Sequence, residues 1–297
     1  MHVWSSAHYT FPLPTGHRFP IAKYATLRER VVSAGIVAPE RIHDPARAAR
    51  EDLLRVHTAD YVDQFTAGRL DDGAMRRIGF PWSEQLVERS YRAVGGTCEA
   101  ARAALDAGVA MNLAGGTHHA FADHGEGYCV FNDVAVAIRS LQAEGKIGCA
   151  AVVDLDVHQG NGTHAIFAGD DSVFTFSMHG ARNYPFHKVP GCVDIELNDG
   201  TGDDEYLSVL GATLPDVLGR ADADLVVYLA GADPLEHDRL GRLALTADGL
   251  ARRDAIVLQC CREVGLPVVI TIAGGYSDPI DATVAVHAAT ARIAARI

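Results

Sequence analysis

The sequence predicts an α/β fold, a three-layer α/β/α arrangement in which helices cover both faces of a mostly parallel sheet. Three observations point there. Strand-like apolar runs alternate with stretches of helical periodicity along the chain. The central runs, AAVVD, LVVYLA and PVVITIA, are continuously apolar, as strands buried on both faces are. Four of the runs end in polar residues, three of them beside glycines, at the position where open parallel sheets carry their chemistry.

The elements follow in order. Residues 3–6 read as a short strand, and a loop rich in Pro and aromatic residues leads to a helix over 21–34. Leu54, His57, Tyr61 and Phe65 have helical spacing, so one helix is expected over 51–65, with His57 a surface or packing residue. Gly68, Gly73, Gly79 and Pro81 mark a loop. Ser83 caps a helix reaching 107, in which Gly95-Gly96 either weakens the helix or permits close packing. A strand at 109–113 is followed by a helix starting at Asn132 or Asp133, with Val134, Ile138 and Leu141 on one face. Strands are expected from 151 and over 172–178, 192–197, 225–230 and 267–273. Helices are expected over 206–218, from Thr246, and in the Ala-rich C-terminal stretch.

The chain has 297 residues and no repeat or linker-like segment, and is read as one domain spanning 1–297. Its formal charge of −12 argues against nucleic-acid binding, which needs a basic surplus, and suits cationic substrates. Six cysteines form no CxxC pair, and those at 149, 260 and 261 lie in apolar runs and are expected to be buried thiols. The N-terminus lacks the pattern of a signal peptide, and no apolar run reaches membrane-spanning length, so a cytoplasmic location is expected.

The most informative stretch is AVVDLDVHQGNGT, residues 151–163. Asp154, Asp156 and His158 occupy every second position and so share one face of an extended chain. Unpaired carboxylates buried there would be costly, and a metal ion is the simplest compensation; a salt-bridged loop is the alternative. Gly160-Asn161-Gly162 then turns the chain away. The other strand ends carry His118-His119, Asp233 and Tyr276, which a parallel sheet would bring to one rim. Asp156, His158 and Asp233 would leave a metal position open to water and substrate. His118 and His119 could serve as general base and acid, and Tyr276 could donate to an oxyanion. Together these roles describe amide hydrolysis.

AGGTHHAFADHGEGYCVFNDVAVAI, VVDLDVHQGNGT, LAGADPLEHDRLGRLALT and IAGGYSD, in that order, resemble the zinc-dependent histone deacetylase family of the arginase-deacetylase fold. The chain looks like a bacterial-type member closest to the class IV branch. The resemblance implies one Zn²⁺ on Asp156, His158 and Asp233, with Gly160 standing where two-metal arginases have a further Asp. It implies His119 as base, His118 as its electrostatic partner oriented by Asp154, Asn161 facing His119, and Tyr276 at the transition state. A structural K⁺ is implied on Asp154, on the carbonyls of Asp156, His158 and Met178, and on the Ser177 hydroxyl. Gly127 and Tyr128 fall on one wall of the acyl channel, with Tyr184 or Phe186 opposite. Leu240 stands where polyamine-specific members carry an acidic residue. The substrate implied is an acylated lysine peptide or a small acylated amine; a catalytically silent acyl-ligand binder is the rival from another class.

Overall fold

A computed structural model describes residues 1–297. Its strands are β1 (His2–Trp4), β2 (Ile42–His43), β3 (Val109–Asn112), β4 (Ala150–Asp154), β5 (Val173–Gly180), β6 (Val193–Leu197), β7 (Leu225–Leu229) and β8 (Val268–Thr271). All eight form one sheet in the order β2-β1-β3-β8-β7-β4-β5-β6, and every neighbouring pair is parallel. The expectation of a mostly parallel sheet is thus met without an antiparallel edge. Strands β4, β7 and β8 are buried at every position, which is why their sequences are unbroken apolar runs.

The helices are α1 (Lys23–Ser33), α2 (Arg50–Leu53), α3 (Ala59–Thr66), α4 (Asp72–Ile78), α5 (Glu84–Ala107), α6 (Asp133–Ala143), α7 (Asn161–Ile166), α8 (Asp203–Ala221), α9 (Ala247–Glu263) and α10 (Asp281–Ala294). Helices α5 and α6 pack together, while α8, α9, α10 and α1 pack side by side in that order. The glycine pair in α5 serves close packing. A Cβ on Gly95 would stand 2.0 Å from the Ala46 carbonyl oxygen, and one on Gly96 would stand 2.5 Å from the Tyr9 hydroxyl.

Four local expectations need correction. The helix over 51–65 is two helices, because the Thr58 hydroxyl accepts from the Tyr61 N–H and starts α3 afresh. The loop before Ser83 contains α4, started by the Asp71 carboxylate on the Ala74 N–H and ended by Gly79 at φ 87°. The turn at 160–162 leads directly into α7. Cys149 and Cys260 are only half-buried, whereas Cys261 is buried; all six cysteines are free.

His57, expected as a surface or packing residue, is 2 % exposed and accepts the Asn132 N–H at Nε2. Asn132 in turn caps α6 through the Ala135 N–H. Burial lowers the His57 pKa to about 4. The folded state therefore refuses a proton that the unfolded chain takes up near the ordinary value of 6.5. Stability is complete above that pH and falls as pH drops from there toward 4, by up to about 3 kcal/mol from this residue. Urea unfolding at stepped pH should show a shallower acid loss in His57→Leu than in the wild type; parallel slopes would contradict the assignment.

Candidate active site

The four loops that follow β3, β4, β7 and β8 meet at one rim of the sheet. Asp154 ends β4, and the chain then leaves the ladder, carrying Asp156 and His158 onto the rim. His158 Nδ1 lies 2.9 Å from Asp156 Oδ1 and 3.1 Å from Asp233 Oδ2. The candidate ligand atoms of Asp156, His158 and Asp233 all fall within 4.8 Å of one another, and all three residues are buried.

Backbone N–H groups hold the outer carboxylate oxygens. Asp156 Oδ2 accepts from Gly274, and Asp233 Oδ1 accepts from Val157. Asp233 Oδ2 is buried and, with His158 Nδ1 beside it at 3.1 Å, makes no well-aligned hydrogen bond. Burial and the Asp156 charge raise the Asp233 pKa to about 7. Burial opposes the charge of His158, yet the Asp156 and Asp233 carboxylates beside its ring raise its pKa to about 10. The donor set of two carboxylates and one imidazole, with one oxygen left without a well-aligned hydrogen bond, suits a divalent cation. Glycines keep the space clear: a Cβ on Gly274 would stand 1.9 Å from Asp233 Oδ2, and one on Gly231 would stand 2.7 Å from Asp156 Oδ2.

The paired histidines face the same centre, their rings 4.1 Å apart. His118 Nδ1–H donates to Asp154 Oδ2 at 2.7 Å. Burial lowers the His118 pKa, but the Asp154 charge and hydrogen bond outweigh it and raise it to about 9. His119 Nδ1–H donates to Asn161 Oδ1 at 2.7 Å. Burial and the charges of His118 and His158 push its pKa well below the ordinary value. One imidazole is thus held charged and its neighbour neutral, with Nε2 of the neutral ring free to accept a proton. The Tyr276 ring stands perpendicular to His158 at 6.4 Å. Burial and the Asp233 and Asp156 charges keep its hydroxyl protonated, as a hydrogen-bond donor must be.

The remaining candidates sort into two regions. Asp154 and Ser177 are register partners across β4 and β5, with Met178 next in line and Asp156 and His158 just beyond. The Ser177 hydroxyl meets His179 Nδ1 at 2.8 Å. Gly127, Tyr128, Tyr184, Phe186 and Leu240 all line a 790 Å³ cavity that reaches His119, His158 and Tyr276. Tyr184 stands edge-on to His119 at 4.9 Å, opposite the aromatic cluster of Phe19, Tyr128 and Tyr276. A Cβ on Gly127 would lie 2.6 Å from the His119 ring, so only glycine lets the wall approach.

Several positioning residues escaped sequence analysis. Asp238 accepts from the N–H groups of Leu240, Gly241 and Tyr276 and so ties the Asp233 loop to the tyrosine loop. Asp133 accepts from Gly116 and Thr117 just ahead of the histidine pair. Buried Lys23 donates to the carbonyls of Ala273 and Gly275. Buried Arg253 donates to the carbonyls of Leu155 and Gly231, each one or two residues from a candidate ligand. Asn161 Nδ2 donates to Glu126, which places a carboxylate behind the amide facing His119. In the sequence, Glu126 stands between Gly125 and Gly127 and Arg253 precedes an Asp, but neither pattern by itself marks an anchor. The acidic chain also suggested cationic substrates, yet the cavity wall contains no Asp or Glu.

Residues 17–292 match the model of the histone deacetylase domain. The chain belongs to that family. It is 45 % identical over 286 residues to an uncharacterized protein of Picosynechococcus, covering 96 % of this chain and 95 % of the relative. It is 33 % identical to Histone deacetylase 2 of Arabidopsis thaliana, over 88 % of this chain and 70 % of that one. Among solved structures, a histone deacetylase homologue complexed with SAHA superposes with a TM-score of 0.86 at 25 % identity, covering 99 % of this chain and 84 % of that one. The fold is the family's, and the chain is a hydrolase of the deacetylase class.

The glycine cradle is testable. Gly274→Ala should weaken metal binding by about 10–100-fold, the usual effect of disturbing the groups around ligands, while leaving the circular dichroism spectrum in place. Competition with a chromophoric chelator measures this, and wild-type affinity in the variant would count against the assigned centre.

Proposed function

We propose that the protein is a zinc-dependent amidohydrolase that removes an acyl group from an amine, with Nε-acyl-lysine as the leading substrate and the whole chain acting as one catalytic domain. The observation that carries this is the meeting of the Asp156–His158–Asp233 group, the His118–His119 pair and Tyr276 at the base of one channel. Zn²⁺ held by Asp156, His158 and Asp233 would acidify a water molecule and polarise the amide carbonyl.

The chain's own groups supply the rest. His119, neutral and with Nε2 free, takes the proton of the attacking water. His118, held charged by Asp154, stabilises negative charge beside it and keeps His119 in its neutral form. The Tyr276 hydroxyl donates to the oxygen of the tetrahedral intermediate. Protonated His119 then returns its proton to the leaving amine nitrogen, and the C–N bond breaks. Glu126 accepts from Asn161 Nδ2, which turns the amide oxygen toward His119 and fixes its tautomer. Tyr128 and Tyr184 flank the acyl chain, with Phe186, 81 % exposed, at the outer end. K⁺ at Asp154, Asp156, His158, Ser177 and Met178 would brace the loop under the zinc ligands. No helix is long and apolar enough to cross a membrane, in keeping with a cytoplasmic enzyme.

A small acylated amine is the alternative substrate. Leu240 in the channel wall, where an acidic residue would attract a polyamine, favours the peptide. Tyr276→Phe and His119→Ala should each lower kcat by about 10²–10⁴-fold on an acyl-lysine peptide, with zinc content and thermal stability retained. Steady-state assays of zinc-loaded protein check this. Near-normal turnover in either variant would reject the mechanism, and faster turnover of a free acylpolyamine than of the peptide would reject the substrate class.

A further inference from the structure

The outer wall of the channel is basic in an acidic protein. Arg18, Arg76, Arg77, Arg182, Arg239 and Arg242 all line the cavity that reaches His119, His158 and Tyr276, and all six are exposed. They come from four separate segments. Arg18 lies in the loop before α1, Arg76 and Arg77 in the last turn of α4, Arg182 after β5, and Arg239 and Arg242 after β7. Local helix electrostatics accounts for the pair in α4, where cations offset the C-terminal end of the dipole, but not for the other four.

Their pairing is incomplete. Arg182 and Arg242 share Asp199, at 3.5 and 3.2 Å, and Arg239 reaches Asp278 only at 4.0 Å. Arg18, Arg76 and Arg77 have no carboxylate within 4 Å, and no Asp or Glu lines the cavity. Six guanidinium groups against two carboxylates, one of them shared, leave a positive rim on a chain whose formal charge is −12. Solubility calls for no such rim, because the net charge is already far from zero. A concentration of one sign around a cleft attracts ligands of the other sign, and exposed guanidinium groups match carboxylates and phosphates in geometry.

We propose that the substrate is an acylated amine whose portion outside the channel carries negative charge, in the form of carboxylate or phosphate groups flanking the scissile amide. The inference rests on the amidohydrolase reading above and refines its substrate. The acyl chain enters the channel, and the arginines engage the anionic groups around the amine that remains at the rim. Strongly basic peptides and acylpolyamines are disfavoured because their charges meet six of like sign.

Zinc-loaded protein tests this with three acetyl-lysine peptides of equal length, whose flanking residues are acidic, neutral or basic, and with a small N-acetylamine bearing a carboxylate. Turnover is measured together with binding of fluorescein-labelled versions by anisotropy, so charge preference is read whether or not an amide is cleaved. Acidic flanks should raise kcat/KM and affinity about tenfold over neutral ones at low salt, and basic flanks should lower them. The preference should shrink at about 0.5 M salt, where the screening length falls to a few Å. In an Arg18→Gln/Arg76→Gln/Arg77→Gln variant the acidic-to-neutral ratio should fall toward one. A small carboxylate substrate that outperforms the acidic peptide would place the anionic chemistry in a metabolite. Equal or better use of the basic peptide at low salt, or a ratio unmoved by salt and by the triple variant, would overturn the proposal. Absence of turnover on every substrate, with acidic-flank binding intact, would instead reject the hydrolase reading alone.

Discussion

Everything at this site depends on holding two carboxylates, Asp156 and Asp233, side by side in the interior. Charge crowded into a region that excludes water is unfavourable unless something answers it. Here the answers are N–H donors from Gly274 and Val157, the His158 ring, and space that glycine at 231 and 274 keeps open. Asp233 Oδ2 is left in the interior without a well-aligned hydrogen bond. An oxygen so placed suits a cation, and the loops bring together the three residues that would hold one.

A parallel sheet is well suited to that demand. All strands point the same way, so the loops that leave β3, β4, β7 and β8 emerge together. Each of those loops contains glycine, whose backbone is the least restricted, so support from outside the loop matters. Side chains from the surrounding helices pin them. Arg253 from α9 takes the carbonyls of Leu155 and Gly231, Lys23 from α1 takes those of Ala273 and Gly275, and Asp133 from α6 takes the N–H groups ahead of His118. The site is therefore preorganised by buried charges that touch backbone rather than ligand.

The two histidines illustrate how adjacent residues of one type acquire different chemistry. Both rings are buried, which favours the neutral form. A carboxylate beside His118 reverses that preference, while the uncharged Asn161 beside His119 does not. Glu126 stands one residue further back and touches His119 only through the amide of Asn161. Channel and rim are similarly divided. Aromatic rings line the interior of the channel, and arginines occupy the exposed edge, where charge remains solvated.

The sequence by itself determined the α/β class, the central buried strands and the polar residues at their ends that are the candidate ligands. Those signals are local: apolar runs for doubly buried strands, and alternate polar positions where a strand leaves the sheet. It did not determine the helices α4 and α7, the break between α2 and α3, or the anchors Lys23, Glu126, Asp133, Asp238 and Arg253. Short helices are stabilised by capping and by packing against distant segments, which no periodicity records. A buried anchor is recognised only by the backbone groups it meets, and these lie up to 252 residues away, as with Lys23 and Gly275. Net charge does not record such an arrangement either. It sums over the whole surface, whereas folding gathers six arginines around one opening.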